Sequence, residues 1–155
     1  MEKIKLKLFD ILQLESEING FVNQDGKTIY QGFIKQNLSI LLKYELTELS
    51  EVLAKEKKVV ESLRDDLIKK YGEEDGKGGI MVKMFNEKFN EDGEIINRTV
   101  NENYIKFDDE YGVLLNNEKE IEYPEITKED LKEAGKSNDD YKVLFRLIKR
   151  EKKEE

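Results

Sequence analysis

The sequence predicts an α+β fold dominated by one long, coiled-coil-like helix over about residues 30–71. Apolar residues recur in this stretch about every 3.5 positions, as they do in a coiled coil. On either side, short segments alternate apolar with charged residues, which is the pattern of half-buried strands. The predicted elements are therefore a short N-terminal strand and helix, the long helix, a small antiparallel sheet and C-terminal helices.

The apolar stripe of the long helix predicts self-association. It begins at Leu42, and the following steps of four, three, four, seven, three and four residues keep one helix face apolar except at Glu56. Before Leu46 the helix is apolar on more than one side, which indicates burial in a globular region. The later part needs one partner, either a second copy or, alternatively, a helix of the same chain, and a lysine from the facing helix would pair with Glu56. We predict a homo-oligomer with the interface Leu46, Leu49, Leu53, Val60, Leu63 and Leu67.

Local patterns predict the shorter elements before residue 120. Apolar residues alternate with lysines over residues 2–8, which predicts a strand, and the period then changes to that of a helix ending near Gly20. Gly72 is predicted to end the long helix in a left-handed conformation. Residues 90–93, Asn-Glu-Asp-Gly, predict a hairpin turn. The apolar residues between 104 and 115 fit either a helix face or a strand.

The C-terminal part predicts a strand and two helices. Residues 121–123 are rich in β-formers and precede the only proline. Thr127 and Asp130 have the spacing of a capping box, which predicts a short helix that stops at Gly135. A last helix is predicted from the apolar face of residues 141–148.

The absence of a linker or an internal repeat predicts a single domain with a projecting helix. This α+β domain comprises residues 1–148, and residues 149–155 are predicted to be a charged, disordered tail. The first nine residues lack a continuous apolar run, so neither a signal peptide nor a membrane span is expected. The predicted location is the cytoplasm, with no membrane partner.

Composition excludes several classes of function. The net charge of −8 and the pI near 4.9 argue against a nucleic-acid partner, because phosphate binding needs clustered lysine and arginine. The chain contains neither cysteine nor histidine, which excludes disulfides and thiolate chemistry. With no nucleophile motif either, we predict that the protein is not an enzyme and has no catalytic residues.

Two patterns in the sequence are candidate ligand sites. The glycine-rich loop 72–79 lacks the Gly-Lys-Ser/Thr of a P-loop and contains three acids, so a connector is predicted. The acidic groups at 73–75, 108–110 and 139–140 lack calcium-loop spacing. We therefore predict no metal site and no cofactor. The aromatic residues are predicted to be core, although a small-nucleotide pocket at a subunit interface stays an alternative.

The order of features resembles a group of small phage and prophage proteins of low-GC Gram-positive bacteria. The likeness comprises a lysine-rich first strand, a short helix and a long helix that ends as Leu67-Ile-Lys-Lys-Tyr-Gly-Glu-Glu-Asp-Gly-Lys-Gly78. A polar β segment and Glu122-Tyr-Pro-Glu-Ile-Thr-Lys-Glu-Asp-Leu131 follow before a last helix. Residues 86–117 depart from the group, because a hairpin turn and Gly112 stand where a plain helix is expected.

The resemblance implies a viral accessory protein that acts in the cytoplasm of the host cell. We predict a non-enzymatic, anti-defence role by protein binding, with a host protein as partner and a small nucleotide as the second choice. The alternative is a structural role in phage morphogenesis, which a long helix would also serve.

Overall fold

The predicted α+β class is confirmed by the structure, a computed structural model with a long helix, small antiparallel sheets and shorter helices. It describes residues 1–22, 25–26, 28–133 and 141–148. The predicted tail, the stop at Gly135 and part of the turn before residue 28 lie outside the described residues.

The chain divides into two compact units. Unit 1 comprises Met1–Lys58 and Asn117–Glu155, and unit 2 comprises Val59–Asn116. One boundary falls inside the long helix, so this helix belongs to both units. The single domain predicted for residues 1–148 stays a prediction.

The described residues form the following helices and strands. The α-helices are α1 (Leu8–Asn19), α2 (Ile40–Tyr71), α3 (Glu102–Asn116) and α4 (Lys128–Glu133), and two 3₁₀ turns span Phe33–Lys35 and Leu144–Leu147. The strands are β1 (Glu2–Lys7), β2 (Phe21–Val22), β3 (Thr28–Tyr30), β4 (Glu73–Glu74), β5 (Ile80–Met81), β6 (Phe85–Phe89), β7 (Ile95–Val100) and β8 (Glu118–Tyr123).

The first strand of unit 1 pairs with the last. β1 and β8 are antiparallel, with Ile4 opposite Ile121. Leu6 and Ile121 are buried, whereas Lys3 lies on the outer face within 4 Å of two glutamates of β8. The alternation of apolar residues and lysines predicted this strand correctly, because side chains of a strand point to opposite faces in turn.

Helix α2 begins at Ile40, later than the predicted Tyr30. The Ser39 hydroxyl caps it by accepting a hydrogen bond from the backbone N–H of Leu42, at 3.2 Å. Ser is a favoured cap because its oxygen satisfies an N–H that has no partner inside the helix. Of the apolar residues before Ser39, Ile29 and Tyr30 therefore belong to β3, and Phe33 and Ile34 belong to a 3₁₀ turn.

Two glycines explain why the helix cannot begin earlier. The backbone at Gly32 has a φ of +94° and packs directly against the end of α1. A Cβ on Gly32 would lie 2.4 Å from the carbonyl oxygen of Ile18, and one on Gly20 would lie 2.3 Å from that of Tyr30. This close approach holds β3 beside β2 and is incompatible with a continuous helix through residue 32.

In unit 1, α1 and α2 run in opposite directions along each other. The Ser50 hydroxyl donates a hydrogen bond to the Asn19 side chain at 2.8 Å, and Lys57 pairs with Glu15 at 3.2 Å. Glu56, which interrupts the apolar stripe, forms an ion pair with a lysine of strand β8 in the same chain. The buried apolar side chains of this part of α2 are Leu42, Leu46, Leu49 and Leu53.

Helix α2 ends at Tyr71 as predicted, but the predicted left-handed glycine is wrong. The φ of Gly72 is not positive. Glycine is required there for space, since a Cβ would lie 2.3 Å from the carbonyl oxygen of Ile68 and 2.6 Å from the side chain of Ile80.

Unit 2 contains the end of α2, two small hairpins and helix α3. β4 pairs with β5, and β6 pairs with β7 through the predicted turn, where the Asn90 side chain accepts hydrogen bonds from the N–H groups of Asp92 and Glu94. Residues 102–116 are α3, which settles the choice left open for this segment. The Asn101 side chain begins α3 by accepting from the N–H of Asn103 at 3.1 Å.

The C-terminal segment packs into unit 1. Thr127 and Asp130 form the predicted capping box, with bonds in both directions of 2.8 and 3.3 Å. In residues 141–148 the predicted helix is only a short 3₁₀ turn. The buried Glu17 carboxylate accepts hydrogen bonds from the N–H groups of Lys142 and Val143, which fixes the segment on α1.

Candidate binding surface

The predicted interface residues fall into two groups. The side chains of Leu46, Leu49, Leu53 and Val60 are buried within the single chain. Leu63 is exposed and Leu67 is partly exposed. The buried group needs no second copy to cover it, so self-association through α2 would have to use other side chains of this helix.

Unit 2 differs in having almost no buried side chains. Within residues 59–116, Val60 is the single buried apolar residue, and helix α3 has none. Eleven large apolar side chains of this unit are exposed. An isolated two-stranded hairpin is at best marginally stable in water, and exposed apolar patches of this kind are typical of binding surfaces.

The register of β6 and β7 places most apolar side chains of the hairpin on one face. Residues opposite each other in an antiparallel pair share a face, so Phe85 lies beside Val100 and Glu87 beside Arg98. The 2.8 Å ion pair between Glu87 and Arg98 agrees with this. A shift in register between Lys88 and Phe89 brings in one extra residue opposite β6. We call this the hairpin face and define it as Phe85, Phe89, Ile95, Ile96 and Val100.

The other face of the hairpin is polar. It consists of Asn86, Lys88, Asn97 and Thr99, which alternate with the hairpin face along the two strands. Arg98 also lies over the ring of Phe85, at 5.1 Å from its centroid, and covers part of that ring. The hairpin is therefore amphipathic, and four of its apolar side chains, Phe89, Ile95, Ile96 and Val100, are about half exposed or more.

An open groove of about 470 Å³ adjoins this surface. Its apolar lining comes from Met81, Met84, Phe85 and Phe89. Methionine side chains adapt to differently shaped partners because they are unbranched and flexible. Its charged lining consists of Glu73, Glu87 and Lys83. A partner side chain with an apolar stem and a positive end fits this lining best.

The electrostatics of unit 2 are strongly acidic. It contains 14 Asp and Glu against 8 Lys and Arg, a net charge of −6, whereas the rest of the chain contributes −2. Three acids, Glu91, Asp92 and Glu94, lie at the turn next to the hairpin face. Such a field attracts cationic partners and repels nucleic acid.

The backbone N–H groups of the glycine-rich loop 72–79 donate hydrogen bonds to a carboxylate of the same loop. Asp75 accepts hydrogen bonds from the backbone N–H groups of Lys77, at 2.7 Å, and Gly79, at 3.1 Å. These bonds lower the pKa of the Asp75 carboxyl. A phosphate cradle would need those N–H groups for the ligand, so the loop acts as the predicted connector.

Of the other candidate ligand groups, the acidic pair at residues 139–140 lies outside the described residues. In the ranges that the structure describes, no three Asp or Glu side chains come together as a metal site requires. Tyr30, Phe33 and Tyr141 are buried in unit 1, where the two tyrosine hydroxyls are 2.8 Å apart. None of the described helices combines the length and apolar character of a membrane span.

Comparison with known proteins adds no evidence on the function of this chain. No protein-family model, no curated protein and no solved structure matches this chain. The sequence analysis does not predict the hairpin face. The alternation of residues 85–89 was its only signal, and the register shift that adds Ile95 and Ile96 to the same face is a tertiary feature.

Proposed function

We propose that this protein acts by binding a basic partner protein through the hairpin face of unit 2. The observation that supports this most strongly is a solvent-exposed apolar face within a unit of net charge −6. Apolar contacts supply most of the affinity at such a surface, and the surrounding acids select a cationic partner and speed its association.

The biological role that we propose for this binding is inhibition of a host defence protein. It rests on the resemblance to phage and prophage proteins of low-GC Gram-positive bacteria. A role as an assembly protein in phage morphogenesis is the alternative, and the identity of the bound partner distinguishes the two. We expect neither enzymatic activity nor binding to duplex DNA at physiological salt.

The test uses a pair of matched variants. The hairpin variant combines Phe89→Ser with Ile96→Ser, and the control combines Lys88→Ser with Thr99→Ala on the polar face of the same strands. Partners are cross-linked in a lysate of a low-GC Gram-positive bacterium, and a protein retained by the wild type is then purified and titrated by calorimetry. Circular dichroism confirms that both variants are folded.

We expect the purified partner to be basic. The hairpin variant should bind it at least about tenfold more weakly, because truncating central apolar side chains typically costs more than about 1 kcal/mol each. The control should stay within about twofold, since exposed polar side chains contribute little to affinity. Equal binding of the hairpin variant, or an acidic partner, would refute the proposal. Thermal stabilisation by one nucleotide would instead favour nucleotide sequestration.

A further inference from the structure

Helix α2 has a second apolar stripe on a face that the chain leaves exposed. Its members recur in steps of three, four and four residues, and this pattern is repeated once between residues 41 and 63. An 11-residue repeat stays on one side of an α-helix because it contains almost a whole number of turns. We call these residues the exposed stripe: the apolar Leu41, Tyr44, Val52, Val59 and Leu63, between 41% and 64% exposed, together with the charged Glu48 and Lys55.

The two charges of the exposed stripe are placed symmetrically. Glu48 lies one turn before Val52, and Lys55 lies one turn after it. The Tyr44 hydroxyl donates a hydrogen bond to the Glu48 carboxylate, and this bond raises the pKa of Tyr44. If a second copy of the helix runs in the opposite direction about Val52, its Lys55 therefore lies where the first copy has Glu48.

This symmetry makes the exposed stripe complementary to an antiparallel copy of itself. With Val52 on a two-fold axis, Leu41 faces Leu63 of the second copy, and Tyr44 faces Val59. Glu48 of each copy then meets Lys55 of the other, twice in the interface. Two-fold interfaces bring one patch against itself, and they need this kind of self-complementarity.

We propose that the protein forms an antiparallel homodimer through the exposed stripe of α2, centred on Val52. The contact is independent of the proposed binding by the hairpin face. It spans about 33 Å of helix, at a rise of about 1.5 Å per residue. A parallel pair in register would place Glu48 against Glu48 and Lys55 against Lys55, so the charges favour the antiparallel arrangement.

The charges of the exposed stripe indicate that a second copy of the chain covers it. The exposed stripe has one acid and one base, so an acidic or basic partner of another kind would leave one of them opposed by a like charge. A second copy satisfies both. Leu46, Leu49 and Leu53 are already buried in unit 1, so the dimer that we infer uses a different face of α2 and shares only Leu63 with the predicted interface.

Charge reversal tests the pairing. Light scattering of the wild type at about 100 μM should give twice the 18.2 kDa mass of the chain. Glu48→Lys and Lys55→Glu should each give a monomer, because each places like charges together in both halves of the interface. The double variant E48K/K55E should restore the dimer. A monomeric wild type, or a double variant that stays monomeric while folded by circular dichroism, would overturn the proposal.

Cysteine cross-linking tests the direction of the helices and does not depend on the charged variants. The chain lacks cysteine, so a single introduced thiol has no other partner. Val52→Cys should give a disulfide-linked dimer on mild oxidation, since the two copies of residue 52 lie together at the axis. Leu41→Cys is the matched control and should not cross-link, because the two copies of residue 41 lie at opposite ends of the contact. Equal cross-linking at both positions would indicate a parallel pair and contradict the proposed antiparallel dimer.

Discussion

The two units differ in where their apolar side chains lie. Nineteen of the 20 buried apolar residues among those described belong to unit 1, whereas unit 2 has Val60 alone. Of the 18 large apolar side chains that are exposed among the described residues, 11 belong to unit 2. The same kinds of residue thus form a core in one unit and a surface in the other.

This difference separates stability from binding. Burial of apolar surface is the main favourable term in folding, so unit 1 has its own source of stability. Unit 2 relies on helix and hairpin hydrogen bonds and on turns such as the one closed by Asn90. A unit with little core leaves apolar side chains free for a partner, as the proposed function requires.

The largest expected effect comes from truncating the core of unit 1. Leu14 is fully buried, so Leu14→Ala should lower the free energy of unfolding by about 2–5 kcal/mol through lost burial and a cavity. Ile95→Ala in the hairpin face should change it by about 0.5 kcal/mol or less, since Ile95 is half exposed. Urea denaturation measures both. Equal losses would mean that the hairpin face is covered in solution and would remove the contrast between the units.

Alanine substitution at one glycine of each unit is expected to give a smaller difference in the free energy of unfolding. Gly32 and Gly93 both have positive φ, +94° and +80°, so alanine at either position is strained by about 1–2 kcal/mol. Only at Gly32 would the new Cβ also collide with backbone, because nothing lies within 4 Å of it at Gly93. Gly32→Ala should therefore lose about 1–3 kcal/mol more than Gly93→Ala, as overpacked sites do. Similar losses in thermal or urea unfolding would show that the chain near Gly20 can move away.

The smallest effect is a pH dependence from the one buried carboxylate that holds the C-terminal segment. Burial raises the pKa of Glu17 above its ordinary value of 4.5, although its hydrogen bonds from the backbone of residues 142–144 oppose this. A raised pKa in the folded state means that Glu17 contributes stability below about pH 4.5, and that this contribution is lost as the pH rises through the raised pKa.

Comparing Glu17→Gln with the wild type isolates this contribution. Glutamine keeps an oxygen that can accept the same N–H bonds but does not ionise. The stability of the variant relative to the wild type should increase as the pH rises from about 4.5 to 7, and urea titrations at several pH values measure it. A constant difference over that range would show that Glu17 does not change its protonation with folding.

Signals within a few residues predicted much of the fold. The strand over residues 2–8, the end of α1 near Gly20, the end of α2 at Tyr71 and the capping box at Thr127 all lie where local patterns place them. The hairpin turn at residues 90–93 follows for the same reason. Each of these is stabilised by hydrogen bonds or side-chain alternation between near neighbours, and the sequence displays such neighbours directly.

The candidate binding surface was not predictable in this way. The long helix has one buried and one exposed apolar stripe. The sequence analysis predicts a homo-oligomer interface at the first, with a helix of the same chain as the alternative. Which stripe is covered depends on α1 and β8, which lie far from α2 along the chain. The hairpin face was not predictable for a similar reason. Phe89 and Ile96 are exposed because no other part of the chain packs on them, and the sequence does not display such tertiary contacts.

By itself, then, the sequence determined the α+β class, the long helix, its C-terminal end and the acidic character that disfavours nucleic acid. Only the tertiary structure decided that α2 begins at Ile40 and not near Tyr30, that β1 pairs with β8, and that unit 1 contains nearly all of the described core. The physical reason is the distance along the chain over which the interactions act. Caps, turns and periodicity depend on residues that are close in sequence. The contact of Gly20 with residues 30–31, and the choice of which face of a helix to bury, depend on segments that meet only after folding.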